Sequence, residues 1–157
     1  MTRSRDGAGS TALLVRSGMR LAALPLSVVE ETMRPLPVEV LSGLPSFVVG
    51  VSVVRGEPAP VVALGVVLGE ESDVSIGRFV AVKATHSQRY VLAVTEVVGI
   101  RSFDSASLSD LPRILGANAS EVAAALATHD ERLVLVLQAA RLVPPEVWAQ
   151  MKAGSGH

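Results

Sequence analysis

Short runs of apolar, mostly β-branched residues recur along this chain from Ala12 to Val143, broken by polar, glycine or proline interruptions. Branched side chains suit a pleated surface and lose rotamer freedom in a helix, so the pattern predicts strands joined by tight turns. The clearest pair is Phe47 to Val54 and Val61 to Leu64, separated by Arg55-Gly56-Glu57 and Pro58-Ala59-Pro60. It reads as a hairpin with a charged tip. Gly50 lies inside the first run, where a missing side chain marks a bend, a bulge or a close approach of other backbone.

The remaining elements follow from the same pattern. Residues 1–11 are small, polar and glycine-bearing, a composition expected to be disordered. Ala12 to Val15 and Met19 to Leu24 predict a first hairpin across Arg16-Ser17-Gly18, ended by Pro25. Val28 to Met33 reads as a short strand or the exit from a helical turn, after which Pro35 and Pro37 impose an extended loop. Gly65 to Leu68 is expected to add a short strand, and the acidic stretch Gly69 to Asp73 marks an internal boundary near residues 69–77. Arg78 to Ala84, His86 to Val94 and Val97 to Phe103 predict a meander. Ser102 to Asn118 is loop-like.

Ser120 to Thr128 is open between two readings: its alanines favour a helix that Ser120 could cap, while a strand would pair with Arg132 to Leu137 across His129-Asp130-Glu131. Gln138-Ala139-Ala140 turns helical, and Pro144-Pro145-Glu146 opens a short final helix through Met151. The chain thus divides into a tail over 1–11, one domain over 12–152 and a second tail over 153–157.

Composition sharpens this picture. Hydrophobic residues make up 49% of the 157 residues and charged ones 18%, with aromatics at 3%. A mean hydropathy of +0.45 demands either very complete burial or apolar patches reserved for partners. A net charge of −1, spread along the chain, leaves no basic stripe for phosphates, so nucleic acid is not an expected partner. The absence of cysteine removes disulfides and thiolate metal sites. The longest uncharged run, Val40 to Val54, is interrupted by Gly43, Pro45 and Gly50 and is shorter than the ~20 residues that span a bilayer. The N-terminus lacks the apolar core of a signal peptide, so a cytoplasmic protein without membrane insertion is expected.

Candidate chemistry is sparse. His86, His129 and His157 fall in two turns and a tail with no second ligand at a metal-binding spacing, and no metal or cofactor is expected. There is no nucleophile elbow, no phosphate-binding glycine loop and no carboxylate pair in an apolar setting; Glu30-Glu31 and Glu70-Glu71 read as solvated faces. No catalytic residue is assigned, which favours a non-catalytic binding module. The other class is a small β-barrel ligand-binding domain or enzyme whose site is assembled from backbone groups.

Taken alone, Arg55 is a solvated arginine at a hairpin end. In context it belongs to a longer pattern: Leu44-Pro45, Phe47, Gly50, Val51, Arg55-Gly56, Pro60-Val61-Val62 and Leu64 together resemble the signature of CheW-like proteins, adaptors of bacterial chemosensory arrays. Arg20 to Arg34, Arg89 to Ile100 and Asp130 to Val143 resemble three further family segments in the same order, so the likeness covers about residues 12 to 145. It implies an all-β fold of two intertwined five-stranded SH3-like barrels with a short C-terminal helix, and it makes Ser120 to Thr128 a strand.

The implied partners are the cytoplasmic signalling tip of a methyl-accepting chemoreceptor and the regulatory domain of the chemotaxis histidine kinase. The implied partner-binding residues are Glu31, Val51, Val53, Val54, Arg55 and Gly56. In this reading the three valines supply apolar area to a groove beside the hairpin, and Glu31 and Arg55 pair at its rim. Three polar or acidic family positions are Val53, Thr95 and Gln138 here, departures that weigh against the kinase contact.

Overall fold

The computed structural model describes residues 10–70, 75–103 and 123–155. Ten strands run in chain order: β1 (Ser10–Ser17), β2 (Arg20–Pro25), β3 (Val29–Met33), β4 (Val48–Val54), β5 (Glu57–Ala63), β6 (Arg78–Thr85), β7 (Gln88–Val94), β8 (Glu96–Phe103), β9 (Ala123–His129) and β10 (Arg132–Leu137). Single 3-10 turns at Leu26–Val28 and Ala139–Arg141, a one-turn helix α1 (Leu64–Val67) and a C-terminal helix α2 (Pro145–Ser155) complete the described elements.

The strands form two five-stranded sheets, β8-β1-β2-β10-β9 and β3-β6-β7-β5-β4, called here the first and second sheet. They share one plan. Each is built from a hairpin (β1–β2 or β6–β7) laid parallel to one strand of an edge hairpin, β2 to β10 and β7 to β5. A helical turn follows that parallel strand in both sheets, α1 after β5 and Ala139–Arg141 after β10.

The first sheet draws its strands from both ends of the chain and the second from the stretch between them, and the packing of the two sheets on each other explains the uninterrupted valine runs. Along β1, Leu13 and Val15 face a large core shared by the two sheets, while Ala12 and Leu14 face a smaller one inside the first sheet. Along β7, Tyr90, Leu92 and Val94 enter the shared core, and Val91 and Ala93 a small core inside the second sheet. A strand buried on both faces has no polar face to alternate with. The high mean hydropathy is thus largely absorbed by burial.

The second sheet must curl. Laid flat, its edge strands β3 and β4 would stand four strand spacings apart, roughly 19 Å. Yet Arg55, at the end of β4, pairs with Glu31 on β3 at 2.5 Å. Met33, Leu36 and Val38 close over the small core of this sheet on the same side.

Several sequence expectations need correction. β1 starts at Ser10, opposite Phe103, so the ordered chain begins before residue 12. Gly65 to Leu68 is not a strand: the Leu68 amide donates to the Leu64 carbonyl at 3.0 Å, and Gly69, at φ 87°, ends the turn in the left-handed region. A short apolar run buried on all sides does not reveal its period, which is why the sequence misled. The stretch 69–77 does not divide the barrels, because β5 before it and β6 after it lie in the same sheet.

Helix α2 continues through Ser155, beyond the expected end at Met151 and into residues assigned to a tail. The open segment is resolved as strand β9, paired antiparallel to β10. Expectations placed on residues 1–9, on the loop over 104–118 and on Ser120 as a helix cap fall outside the described residues.

Candidate functional site

The β4–β5 hairpin is closed by two residues, with Val54 opposite Glu57 and Arg55-Gly56 between them. Both turn residues have positive φ, 52° at Arg55 and 83° at Gly56, the type I′ geometry whose twist matches that of the flanking strands. Glycine accepts this without strain. An arginine has no such freedom, so the tip keeps Arg55 in an uncommon conformation and aims its side chain across the sheet. There its Nε donates to Glu31 Oε2 at 2.5 Å. The carboxylate beside it raises the guanidinium pKa further above its ordinary value.

Register then fixes the rest of the hairpin. Val54 and Glu57 are a hydrogen-bonding pair next to a two-residue turn, so Val53–Pro58 and Val51–Pro60 are the non-bonding pairs between them. The prolines therefore sit where β4 needs no amide from β5. The backbone groups of Val51 and Val53 correspondingly point away from β5. Val51 exchanges both of its bonds with Glu39, at 2.8 Å each, and the buried Ser52 hydroxyl donates to the Pro37 carbonyl at 2.7 Å. A side chain at Gly50 would collide with the Glu39 carbonyl oxygen, which gives the glycine its reason, and the ladder slips by one residue at this point.

The sequence-predicted residues separate accordingly. Glu31, Arg55 and Gly56 meet at the tip, Val51 is half-buried beneath the Glu39 crossing, and Val53 is 64% exposed on the same edge. Val54 does not belong with them. It is 2% exposed and packs with Ala59, Val61 and Phe79 inside the second sheet, so it supplies no surface to a groove. Val40 and Leu41, just after the Glu39 bridge to Val51, are exposed and extend the apolar edge instead.

Three residues of the tip were not foreseen as such. Glu30 accepts a short hydrogen bond from Arg89 Nε and a second from Nη2 at 3.3 Å, while Arg89 Nη1 lies 3.5 Å from Glu57. The Arg89 hydrogen bond holds the Glu30 carboxyl below its ordinary pKa, and Glu30 in turn raises that of Arg89. Glu30-Glu31, read as a solvated face, is thus a fork that hands one carboxylate to Arg89 and the other to Arg55. Glu30 and Arg89 are 59 residues apart, and nothing local in the sequence announces the pairing. Among the described residues, no group of three or more metal-ligating side chains is present.

A model of the CheW-like domain matches residues 11–146. The chain belongs to the CheW-like family. Its fold agrees with that of a solved relative, the scaffolding protein TtCheW from Thermoanaerobacter tengcongensis, at a TM-score of 0.72 and 18% identity, covering 82% of this chain and 88% of that one. No curated protein matches the chain at a significant level. The CheW-like family is one of scaffolding adaptors in chemosensory signalling, and membership supports that role for this chain.

Two departures from the CheW-like pattern acquire structural meaning. Thr95, in place of an acidic residue, still accepts a hydrogen bond, from the Gly18 amide at 3.0 Å, and so ties the β7–β8 crossover to the β1–β2 turn. Val53, in place of an asparagine, leaves a branched apolar side chain on the exposed edge.

Proposed function

We propose that this CheW-like domain is a cytoplasmic adaptor that receives the signalling tip of a methyl-accepting chemoreceptor at the outer edge of β4 and couples it to the regulatory domain of the chemotaxis histidine kinase. The observation that carries this reading is the tip itself, with Arg55 in a left-handed turn, tied to Glu31, beside the exposed Val53. A receptor tip is a helical hairpin, and helices dock on such edges through apolar anchors worth about 1.5–3 kcal/mol each when fully buried. Glu31 and Arg55 orient the docking edge. Among the described residues no helix is long and apolar enough to cross a membrane.

The test is binding of a receptor signalling fragment and, separately, of the kinase regulatory domain to purified protein. Val53→Glu and Arg55→Glu are expected to leave folding intact and to weaken the receptor fragment at least tenfold. Restoring the ion pair by Glu31→Arg with Arg55→Glu should recover only part of that loss, since a carboxylate cannot replace the arginine's fork of donors. Unchanged receptor binding by both single variants returns Arg55 to an ordinary turn residue. Binding of the receptor fragment without the kinase domain would leave a receptor-side adaptor only.

A further inference from the structure

A second surface lies away from the β4 edge, where the chain leaves β10 and enters α2. A groove of about 660 Å³ runs between the β6–β7 turn and α2, with Val143, Pro144 and Pro145 among its apolar walls. Its polar side chains are Gln88, Arg141 and Trp148. The Gln88 oxygen already accepts from the Thr85 hydroxyl, at 3.3 Å, which leaves the amide's N–H groups for a ligand. The Arg141 guanidinium and the Trp148 indole can only donate, and among the described residues neither side chain makes a hydrogen bond. No acidic side chain lines the groove.

The wall that carries Arg141 is firmly held. The Arg141 amide closes the 3-10 turn onto the Gln138 carbonyl at 3.0 Å. The carbonyl of Ala139 in the same turn accepts the hydroxyl of the fully buried Tyr90 at 2.9 Å. On the other side of Trp148, a neighbouring hollow of about 360 Å³ is lined by Glu57 and Arg89, whose charges are already matched to one another and to Glu30. Gln88 and Trp148 line both hollows, and Arg141, whose charge is unmatched among the described residues, lines only the first.

We propose that this groove binds a short acidic segment of a partner protein, with an aliphatic or aromatic side chain seated on Trp148 and the proline wall and a neighbouring carboxylate held by Arg141 and Gln88. Charge complementarity selects the occupant: a basic segment would meet an unpaired guanidinium, and a purely apolar one would strand three donors without acceptors. The proposal does not depend on receptor docking, which is placed at Arg55 and Val53 on the outer edge of β4.

Trp148 is the only tryptophan of the chain and forms the wall between this groove and the neighbouring hollow, so its emission reports binding at either, and Arg141→Glu tells the two apart. Random dodecapeptides displayed on phage are selected against the immobilised full chain, and enriched sequences are synthesised and titrated by Trp148 fluorescence. The expected result is enrichment of peptides pairing Asp or Glu with a large apolar residue, with binding that shifts the emission. Arg141→Glu, at an exposed position, should weaken those peptides at least tenfold, and Arg55→Glu should leave them unchanged. Absence of enrichment, peptides without an acidic residue, equal binding by Arg141→Glu, or glutarate alone competing as well as the peptide would each overturn the proposal.

Discussion

The two edge hairpins, β4–β5 and β9–β10, occupy equivalent places in the two sheets and close with the same turn, yet among the described residues only the first has a turn residue tied across its sheet. Arg55-Gly56 stands at φ 52° and 83°, and Asp130-Glu131 at 51° and 65°. In the second sheet the arginine is anchored by a carboxylate from the far edge strand. In the first, Asp130 turns back on its own neighbour His129 at 3.3 Å, while Arg132 donates to the Met19 carbonyl at 2.5 Å. The same backbone device therefore serves two ends. One tip is tied across its sheet and holds an arginine at its rim; the other pairs its turn aspartate with a neighbour and keeps two non-glycine residues in a conformation that favours glycine.

The sharpest way to break the comparison is to place charge on either side of β4. Val54→Glu puts a carboxylate in the small core of the second sheet and is expected to cost roughly 3–5 kcal/mol, the range for a charge left unpaired inside a protein. Val53→Glu, one residue away, should leave the thermal midpoint nearly unmoved. Equal loss of stability in the two variants would mean that the edge is not exposed.

Next comes the anchor behind the other parallel strand. Tyr90→Phe removes the donor to the Ala139 carbonyl and should destabilise by about 1–3 kcal/mol, measured by urea unfolding. Burial raises the Tyr90 pKa far above its ordinary value, so no phenolate should appear by ultraviolet titration until the protein unfolds.

The turns themselves come third. Gly56→Ala should cost about 1–2 kcal/mol, because an alanine is forced into the left-handed region. Glu131→Gly should instead stabilise by roughly 0.5–1 kcal/mol once glycine's own entropy is deducted. Opposite signs in chemical denaturation would establish that strain is relieved at one tip and retained at the other.

The smallest effect is the pH dependence of the Glu30–Arg89 pair. The Glu30 pKa is lowered in the folded state, so its contribution is present above the unfolded value and is lost as pH falls through the folded one. Because both side chains are partly exposed, the loss should stay below about 1 kcal/mol in wild type and vanish in Glu30→Gln.

Local pattern was legible in the sequence and long-range pairing was not. Three of the four hairpins could be read from apolar runs and turn residues, which act over a few positions; the fourth came with the family likeness, which made the alanine-rich stretch before His129 the strand that it is. The Glu31–Arg55 pairing came with the likeness rather than from spacing. What stayed hidden depends on which strands meet after long excursions, such as β2 with β10 and β5 with β7. Since both faces of most strands are buried, hydrophobic pattern carried no mark of which sheet a strand would join, and an acidic loop was mistaken for a boundary. Val54 was misassigned for a related reason: three valines in four positions look alike until the register is known.

Strand interleaving also orders the birth of the molecule on the ribosome. All five strands of the second sheet lie within residues 29–94, so that sheet can close as soon as β7 has emerged. The β1–β2 hairpin is made earlier but must wait, since its companions β8, β9 and β10 span residues 96–137. Synthesis proceeds at about 5–20 residues per second, which leaves an unpaired apolar hairpin exposed for seconds beside a finished neighbour. The end of the chain thus completes the sheet that its beginning started, and a transcript cut short between β7 and β10 releases a protein with one finished sheet and one open edge.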